Sequence, residues 1–223
     1  MIYKIIKRAR YEALEVKECS HTFPAHIHKR LCVGEVNCGE KYITIGSKTT
    51  RYAKGDMFII PPFVAHSCRA KAKTNYAILS ISDGDLIDRD ELLSDLKRVN
   101  IDPKRVIELI GGVRDRKLNI GDLISDLLAY IDEESVNGLT IAQIAKKAGY
   151  SADHISRLFK NAIGISPRQY VIQERIRKSK RRAKEELISE IAQYSGFYDQ
   201  SHFIRHFKRY EGVTPKEYYR SLR

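Results

Sequence analysis

The 223-residue sequence predicts an α+β multidomain chain: an N-terminal β-barrel, then an all-α domain of two helix-turn-helix subdomains joined by a linker helix. Three observations predict it. Residues 1–82 carry short β-branched and aromatic runs between turn residues. From Asp83 the apolar spacing becomes helical, and between Leu139 and Tyr219 one pattern is written twice. Two copies are too few for a solenoid, so two similar subdomains are expected.

Within residues 1–82, Tyr42-Ile-Thr-Ile, Met57-Phe-Ile-Ile and Tyr76-Ala-Ile-Leu-Ser-Ile have strand composition. Gly46-Ser-Lys, Lys54-Gly-Asp and Pro61-Pro62 separate them as turns. Several such strands in one domain suit a small barrel or sandwich. Leu86, Leu92, Leu93 and Leu96 then fit one helix face. Asp102-Pro103 supplies an N-cap with proline at the first helical position, and Gly111-Gly112 closes that second short helix. Residues 83–118 are expected to form a helical linker whose helices either offer homodimer contacts or pack on their own barrel. Ile120, Leu123, Ile124, Leu127, Leu128 and Ile131 step by three and one, which predicts a strongly amphipathic helix. The domain boundary is placed near 118, after Arg114-Asp-Arg-Lys117, so that the helical domain spans 119–223.

Composition narrows the partners. Hydrophobic residues make up 43% and charged residues 30%, a soluble globular balance, and the net charge is +12. That charge is uneven: from Lys146 onward there are 18 Lys and Arg against 8 Asp and Glu, whereas Ile120–Ala145 has five acids and no Lys or Arg. A basic folded block suits a polyanion, because counterion release drives the association. A solvated basic surface with no specific partner is the other reading. Charges interrupt every apolar run in the opening Met1-Ile-Tyr-Lys-Ile-Ile-Lys-Arg-Ala-Arg, so no signal-peptide core is expected there. No later run approaches the ~20 apolar residues of a membrane span. Cys19, Cys32, Cys38 and Cys68 form no CxxC pair. Reduced thiols and a cytoplasmic location are therefore expected.

The repeat carries the most specific chemistry. Ile144, Ala145 and Gly149 recur at an offset of 47 as Ile191, Ala192 and Gly196. Arg157, Phe159, Lys160, Gly164, Pro167 and Tyr170 recur at an offset of 48. The one-residue change falls in the turn, where an insertion is expected to disturb no packing. Each copy reads helix, glycine turn, helix. In the second helix of the first copy, Ile155, Leu158, Phe159 and Ala162 have core spacing, which leaves Asp153, His154, Ser156, Arg157 and Lys160 outward. In the second copy Phe203 and Phe207 face inward, leaving Gln200, Ser201, Ile204, Arg205 and Lys208 outward. Such a face fits the major groove, where Arg forks onto guanine and Gln onto adenine.

With Ile191-Ala, Gly196-Phe, Phe203, Phe207-Lys208 and Gly212-x-Thr-Pro-x-Glu217-Tyr218, residues 120–223 resemble the DNA-binding domain of the AraC/XylS family of bacterial transcription regulators. The resemblance implies recognition helices at 152–162 and 200–210. It places base contacts on Asp153, Ser156 and Arg157 in the first helix, and on Gln200, Ser201 and Arg205 in the second. Lys160 and Lys208 are expected on phosphates. It also implies a linker helix, which Pro167 through Glu186 fits. The family has an apolar Leu-Leu step before its second repeat, where this chain has the shorter Lys180-Arg-Arg-Ala-Lys-Glu-Glu186. Either the linker helix runs almost directly into the second repeat, which is preferred because both repeats keep their cores, or the spacing of the reading helices is altered. Successive major grooves require ~34 Å between them. Lys178, Lys180, Arg181 and Arg182 are expected to attract phosphate, with a solvated helix face as the other reading.

In the N-terminal domain, Pro24-Ala-His26-Ile-His28 precedes Gly55-Asp56-Met-Phe-Ile-Ile-Pro61-Pro-Phe-Val-Ala-His66. His-x-His on a strand puts both imidazoles on one face, and a third His completes a metal triad. The pattern resembles the two cupin motifs, so a cupin-like effector-sensing barrel is implied. Cys32 stands where the pattern has glutamate, and Phe63 stands where it has glycine after Pro61. A His26, His28, Cys32 and His66 set suits zinc, nickel or iron; a pocket for a small organic effector, or an inherited hydrogen-bonded cluster, is the competing reading.

The function expected is a cytoplasmic, sequence-specific DNA-binding transcription regulator, not an enzyme, that responds to a ligand in its cupin-like domain. The alternative is a metal-dependent cupin enzyme with a basic accessory domain. Double-stranded DNA, a small-molecule or metal effector, a second copy of the chain, and RNA polymerase if the protein activates are the partners expected, with no membrane.

Overall fold

The computed structural model describes residues 1–82, 89–111, 121–182 and 186–222. Leu86, Gly112, Arg114–Lys117, the boundary near 118, Ile120 and residues 183–185 lie outside them. Contacts divide the chain into two compact units: Met1–Thr22, Ile27–Leu118 and Arg220–Arg223 in one, Phe23–His26 and Asn119–Tyr219 in the other.

Seven strands form one sheet among the described residues: β1 (Ile2–Lys7), β2 (Tyr11–Cys19), β3 (Thr22–His26), β4 (Leu31–Ile45), β5 (Lys48–Ala53), β6 (Met57–Ile60) and β7 (His66–Ile81). The order is β1-β2-β7-β4-β5, with β3 on β7 and β6 on β4. The long strands β4 and β7 pair antiparallel from Leu31↔Ile81 to Ile45↔His66, with register shifts around Cys38. Such bulges bend a strand and strengthen its twist. On either side of the shifts the neighbours differ. The first half of β4 takes β6 (Cys32↔Ile60), and the second half takes β5 (Tyr42↔Arg51). The sheet therefore wraps around an interior. Gly34 leaves the space that the Phe58 ring fills, since a Cβ there would lie 2.1 Å from that ring. The β4–β5 hairpin closes through Gly46-Ser47, with Gly46 at φ 59 where a two-residue loop needs a positive φ.

Helices α1 (Arg89–Arg98) and α2 (Pro103–Gly111) pack on this sheet. Leu92, Leu96, Val99, Ile101 and Val106 share a core with Ile6, Tyr11, Ala13, Val33, Ala77 and Leu79. Of the two expectations for these helices, packing on their own barrel is the one the structure displays. A polar clamp holds α1 in place: buried Asp95 accepts from Arg8 Nε at 2.7 Å and from Tyr11 Oη at 2.9 Å.

The other unit holds α3 (Asp122–Glu134), α4 (Ile141–Ala148), α5 (Ala152–Ile163), α6 (Pro167–Ser179), α7 (Ile188–Tyr194), α8 (Gln200–Glu211) and α9 (Pro215–Ser221). The central helix α6 touches α3, α5, α7 and α8. Even its polar Gln173, Glu174 and Ser179 are buried.

The Gly-x-[Ser/Thr]-Pro signature turns out to be helix punctuation. Gly164 (φ 76) and Gly212 (φ 79) end α5 and α8 in the left-handed region, where an L side chain is strained. Two residues on, Ser166 and Thr214 cap the next helices. Each accepts from the backbone N–H three residues later, Gln169 or Glu217, at 3.3 Å. The side chains of Gln169 and Glu217 in turn accept from the cap N–H groups at 2.8 and 2.7 Å. Pro167 and Pro215 fill the first helical positions, where no N–H is needed. Ile165 with Tyr170, and Val213 with Tyr218, are buried at the positions a hydrophobic staple joins.

One expectation is corrected here. The linker helix stops at Ser179 instead of continuing to Glu186. Ser179 Oγ donates to Ile176 O at 2.7 Å, and the Ser179 carbonyl accepts Tyr219 Oη at 2.6 Å. Terminal groups that would otherwise extend the helix are thus satisfied by partners from the same turn and from α9.

Candidate nucleic-acid interface and sensor cluster

Each reading helix is started by a side-chain cap. Ser151 Oγ accepts from His154 N at 3.2 Å, and Asp199 Oδ1 accepts from His202 N at 2.7 Å. Burial then sorts the faces. Ile155, Phe159 and Ile163 are buried on α5, and Phe203 and Phe207 on α8. Asp153, Arg157 and Lys160 stand exposed on α5, as do Gln200, Ser201, Arg205 and Lys208 on α8. Ser156 is half-buried, and its hydroxyl donates to Ala152 O at 2.8 Å, so toward a base it offers only its lone pairs. The α8 face therefore has more free donors than the α5 face.

The linker cations have a different position. Lys178 Nζ donates to Glu133 O at 3.0 Å. Lys180 pairs with Glu211 at 3.0 Å, with its ammonium 5.0 Å from the Tyr218 ring centre. Arg182 pairs with Glu186 at 2.6 Å and lies 3.9 Å over Tyr194. Arg181 is exposed. Three of the four linker cations expected to attract phosphate thus hold intramolecular partners that spacing alone does not reveal. Salt titration separates the two roles: Lys208→Ala is expected to lower the salt slope of DNA binding by about 1. Lys180→Ala should leave that slope unchanged and lower the thermal midpoint instead.

The two first helices end alike. Gly149 N donates to Lys146 O at 3.2 Å and Tyr150 N to Ala145 O at 3.1 Å; Gly196 N donates to Gln193 O and Phe197 N to Ala192 O, both at 3.0 Å. The glycines are unequal, however. A Cβ at Gly196 would meet the Val136 backbone at 2.8 Å, whereas nothing lies within 4 Å of one at Gly149. The one-residue insertion is not neutral either. In the first copy Tyr150 both follows the glycine and precedes the cap. In the second these places belong to Phe197, which is buried, and Tyr198, which is exposed. Tyr150 and Tyr198 escape notice when the copies are aligned on their glycines. Alignment on the caps, at the offset of 48 shared with the arginines, brings them out.

In the N-terminal region, His26, His28 and His66 bring ring nitrogens within 4.8 Å of one another. The expected strand geometry is only partly present, since β3 ends at His26 and His28 lies just past it. The His28 and His66 rings are centred 4.9 Å apart. His26 Nδ1 donates to Pro24 O at 2.7 Å and His66 Nδ1 to Val64 O at 2.9 Å, roles fixed because a carbonyl only accepts. In the neutral ring this leaves Nε2 with the lone pair. Burial holds His66 down to about 4, so its ring is neutral near pH 7. Cys32 does not join the three histidines. Its thiol contacts Ser80 Oγ at 3.3 Å and donates to Arg30 O at 3.7 Å, and burial pushes it up to about 12. Phe63 occupies its glycine-like place with φ 60, and its N–H donates to His28 O at 2.7 Å.

Residues 144–221 match the helix-turn-helix domain family. The regulatory protein SoxS of Escherichia coli strain K12 is 35% identical over 98 residues, covering 43% of this chain and 92% of SoxS. The probable transcriptional regulator LumQ of Photobacterium leiognathi is 31% identical over 91 residues, 40% of this chain; the match spans only 37% of LumQ. Among solved structures, ToxT from Vibrio cholerae matches with a TM-score of 0.66 at 14% identity, covering 96% of this chain and 99% of that one. A structure of ToxT with an unsaturated fatty acid bound matches at 0.64. At this identity the likeness is one of fold. No helix among the described residues is long and apolar enough to cross a membrane.

Proposed function

The chain belongs to the AraC/XylS family of DNA-binding transcription regulators, and from that premise we propose that α5 and α8 read one DNA site while a ligand of the strand-rich unit sets the output. The DNA reading rests on one observation above others: an exposed arginine recurs at the same place on both capped helices, Arg157 and Arg205. A guanidinium there can fork onto guanine, and on α8 the amide of Gln200 can pair with adenine. Arg157→Ala or Arg205→Ala is expected to cost ~1–3 kcal/mol at the bound site and to relax base preference locally. Competition binding against single-base variants of the site measures both. Parent-like affinity in both variants would refute the base-contact assignment.

For the sensor, the fatty-acid-bound form of ToxT supports a small-molecule effector. The three histidines support a metal as the second reading. Three imidazoles whose ring nitrogens lie this close fit zinc, nickel or iron, which would link His26, His28 and His66. Metal analysis of purified protein, with His28→Ala as control, decides between them: about one metal per chain, lost in the variant, favours the metal. RNA polymerase is the further partner if the protein activates, and the bacterial cytoplasm is where it acts. Metal-stripped protein should still shift promoter DNA. Loss of a turnover activity with no DNA shift would instead support the cupin-enzyme alternative.

A further inference from the structure

Four large side chains of the two helix-turn-helix subdomains stand well exposed: Tyr150 (48%), Leu187 (64%), Tyr194 (54%) and Tyr198 (93%). They fall into two kinds. Leu187 precedes α7 and Tyr194 is its last residue, and their counterparts at the offset of 47 are Thr140 and Lys147, so nothing apolar recurs there. Tyr150 and Tyr198 do recur. Each directly precedes the capping residue of a recognition helix, Ser151 or Asp199. A feature present at the same place in both copies points to what the two copies share, which on the reading above is DNA.

Local geometry supports this. The inserted residue of the second turn lets Phe197 enter the core against Phe203, at 5.1 Å between ring centres, while Tyr198 stays outside. The chain thus keeps an outward tyrosine before the cap even where the turn is longer. In the first copy Tyr150 stacks on His154, with ring centres 4.5 Å apart and planes at 12°, which fixes the phenol beside the first turn of α5. A recognition helix meets the major groove near its N-terminal end, so the residue before its cap lies at the groove edge, beside the sugar-phosphate backbone. Tyrosine is a phosphate donor in such interfaces, and helix N-termini favour the same anion.

We propose that Tyr150 and Tyr198 are paired backbone clamps: each ring packs on a deoxyribose while its hydroxyl donates to a phosphate oxygen where the recognition helix enters. The inference rests on the DNA reading above. Because the phenol is neutral, the contact adds affinity for any sequence and releases no counterion.

The experiment uses the full chain and a duplex selected by it from a random-sequence pool, with a scrambled duplex as comparison. Tyr150→Ala and Tyr198→Ala should each weaken binding roughly fivefold on both duplexes, the size of one net hydrogen bond with some packing. The salt slope and the base preference should not change. Tyr198→Phe should recover only the packing part, and circular dichroism should match the parent because both side chains are exposed. Parent-like affinity of both Ala variants would overturn the proposal. So would a loss confined to the selected duplex with altered base preference, which would make the tyrosines base readers. Unchanged DNA affinity with lost promoter activation would overturn it in favour of a protein partner. If the parent selects no duplex at all, the DNA reading itself fails, an outcome distinct from all of these.

Discussion

Glu174→Ala is expected to remove about 3 kcal/mol from the stability of the helical unit, the lower end of the cost of breaking a buried ion pair, because Arg177 is partly exposed and keeps other carboxylates near it. Glu174 is buried on α6 and pairs with Arg177, whose guanidinium lies 5.6 Å over the Tyr170 ring. Tyr170 Oη donates in turn to Asp132 at 2.8 Å, which ties α6 to α3. Burial lowers the Arg177 pKa, yet an arginine stays charged near neutrality, so loss of the carboxylate leaves a partly buried cation with only the more distant Asp132 and Glu211 to balance it. Domains have only about 5–15 kcal/mol in total. Urea unfolding followed by circular dichroism gives the measurement. Replacing both Glu174 and Arg177 by leucine should recover much of the loss, because an apolar pair of similar volume strands no charge. A single-variant cost below about 1 kcal/mol would place the pair in the range of exposed ion pairs and defeat the argument.

Asp95→Ala should destabilise the strand-rich unit by about 1.5–3 kcal/mol, the range for hydrogen bonds to a charged group. It removes the acceptor for Arg8, Tyr11 and, at 3.3 Å, Arg98, and so loosens α1 from β2 and from the turn that precedes it. Burial by itself would raise the Asp95 pKa, but the hydrogen bonds from Arg8 and Tyr11 outweigh it and the carboxyl titrates below its ordinary value. A folded pKa below the unfolded one gives stability that is fully present above the unfolded value and fades as pH falls through the folded one. The urea midpoints of parent and variant should therefore lie furthest apart near pH 7 and converge as pH falls below the ordinary carboxylate range. Constant separation across that range would show that Asp95 acts through packing, not charge.

The helical unit was the more legible part because its signals are local. Caps, staples and turn glycines act over three to five residues, so Gly164 to Tyr170 announces both the end of α5 and the start of α6. The strands were less so. Tyr42, Met57 and Tyr76 runs stand out, but β2 carries Glu12 and Glu15 on opposite faces, and its register is set by partners such as Ile81 far along the chain. The end of α6 was misjudged for the same reason: Lys180 to Glu186 has good helix formers, and the hydroxyl that stops the helix comes from Tyr219, 40 residues away. The intramolecular partners of Lys178, Lys180 and Arg182 were hidden likewise. Arg157, Arg205 and the three histidines were visible as residue types at fixed spacing. Tyr198 was hidden by an insertion that glycine alignment places one residue too early.

Of the two capping boxes that follow the recognition helices, one closes with an amide and the other with a carboxylate, and that gives the halves of the domain different tolerance to acid. Gln169 cannot titrate, so the start of α6 is held the same way at any pH. Glu217 does the same work with a carboxylate, which the Thr214 backbone N–H and hydroxyl hold below its ordinary pKa. Its contribution is present above the ordinary carboxylate range and disappears as pH falls through the lowered value. Amide exchange in the first turn of α9 should accelerate on acidification before that of α6 does. A chain that writes its DNA grip twice would then loosen in acid from one end only, keeping the first copy closed while the second begins to fray.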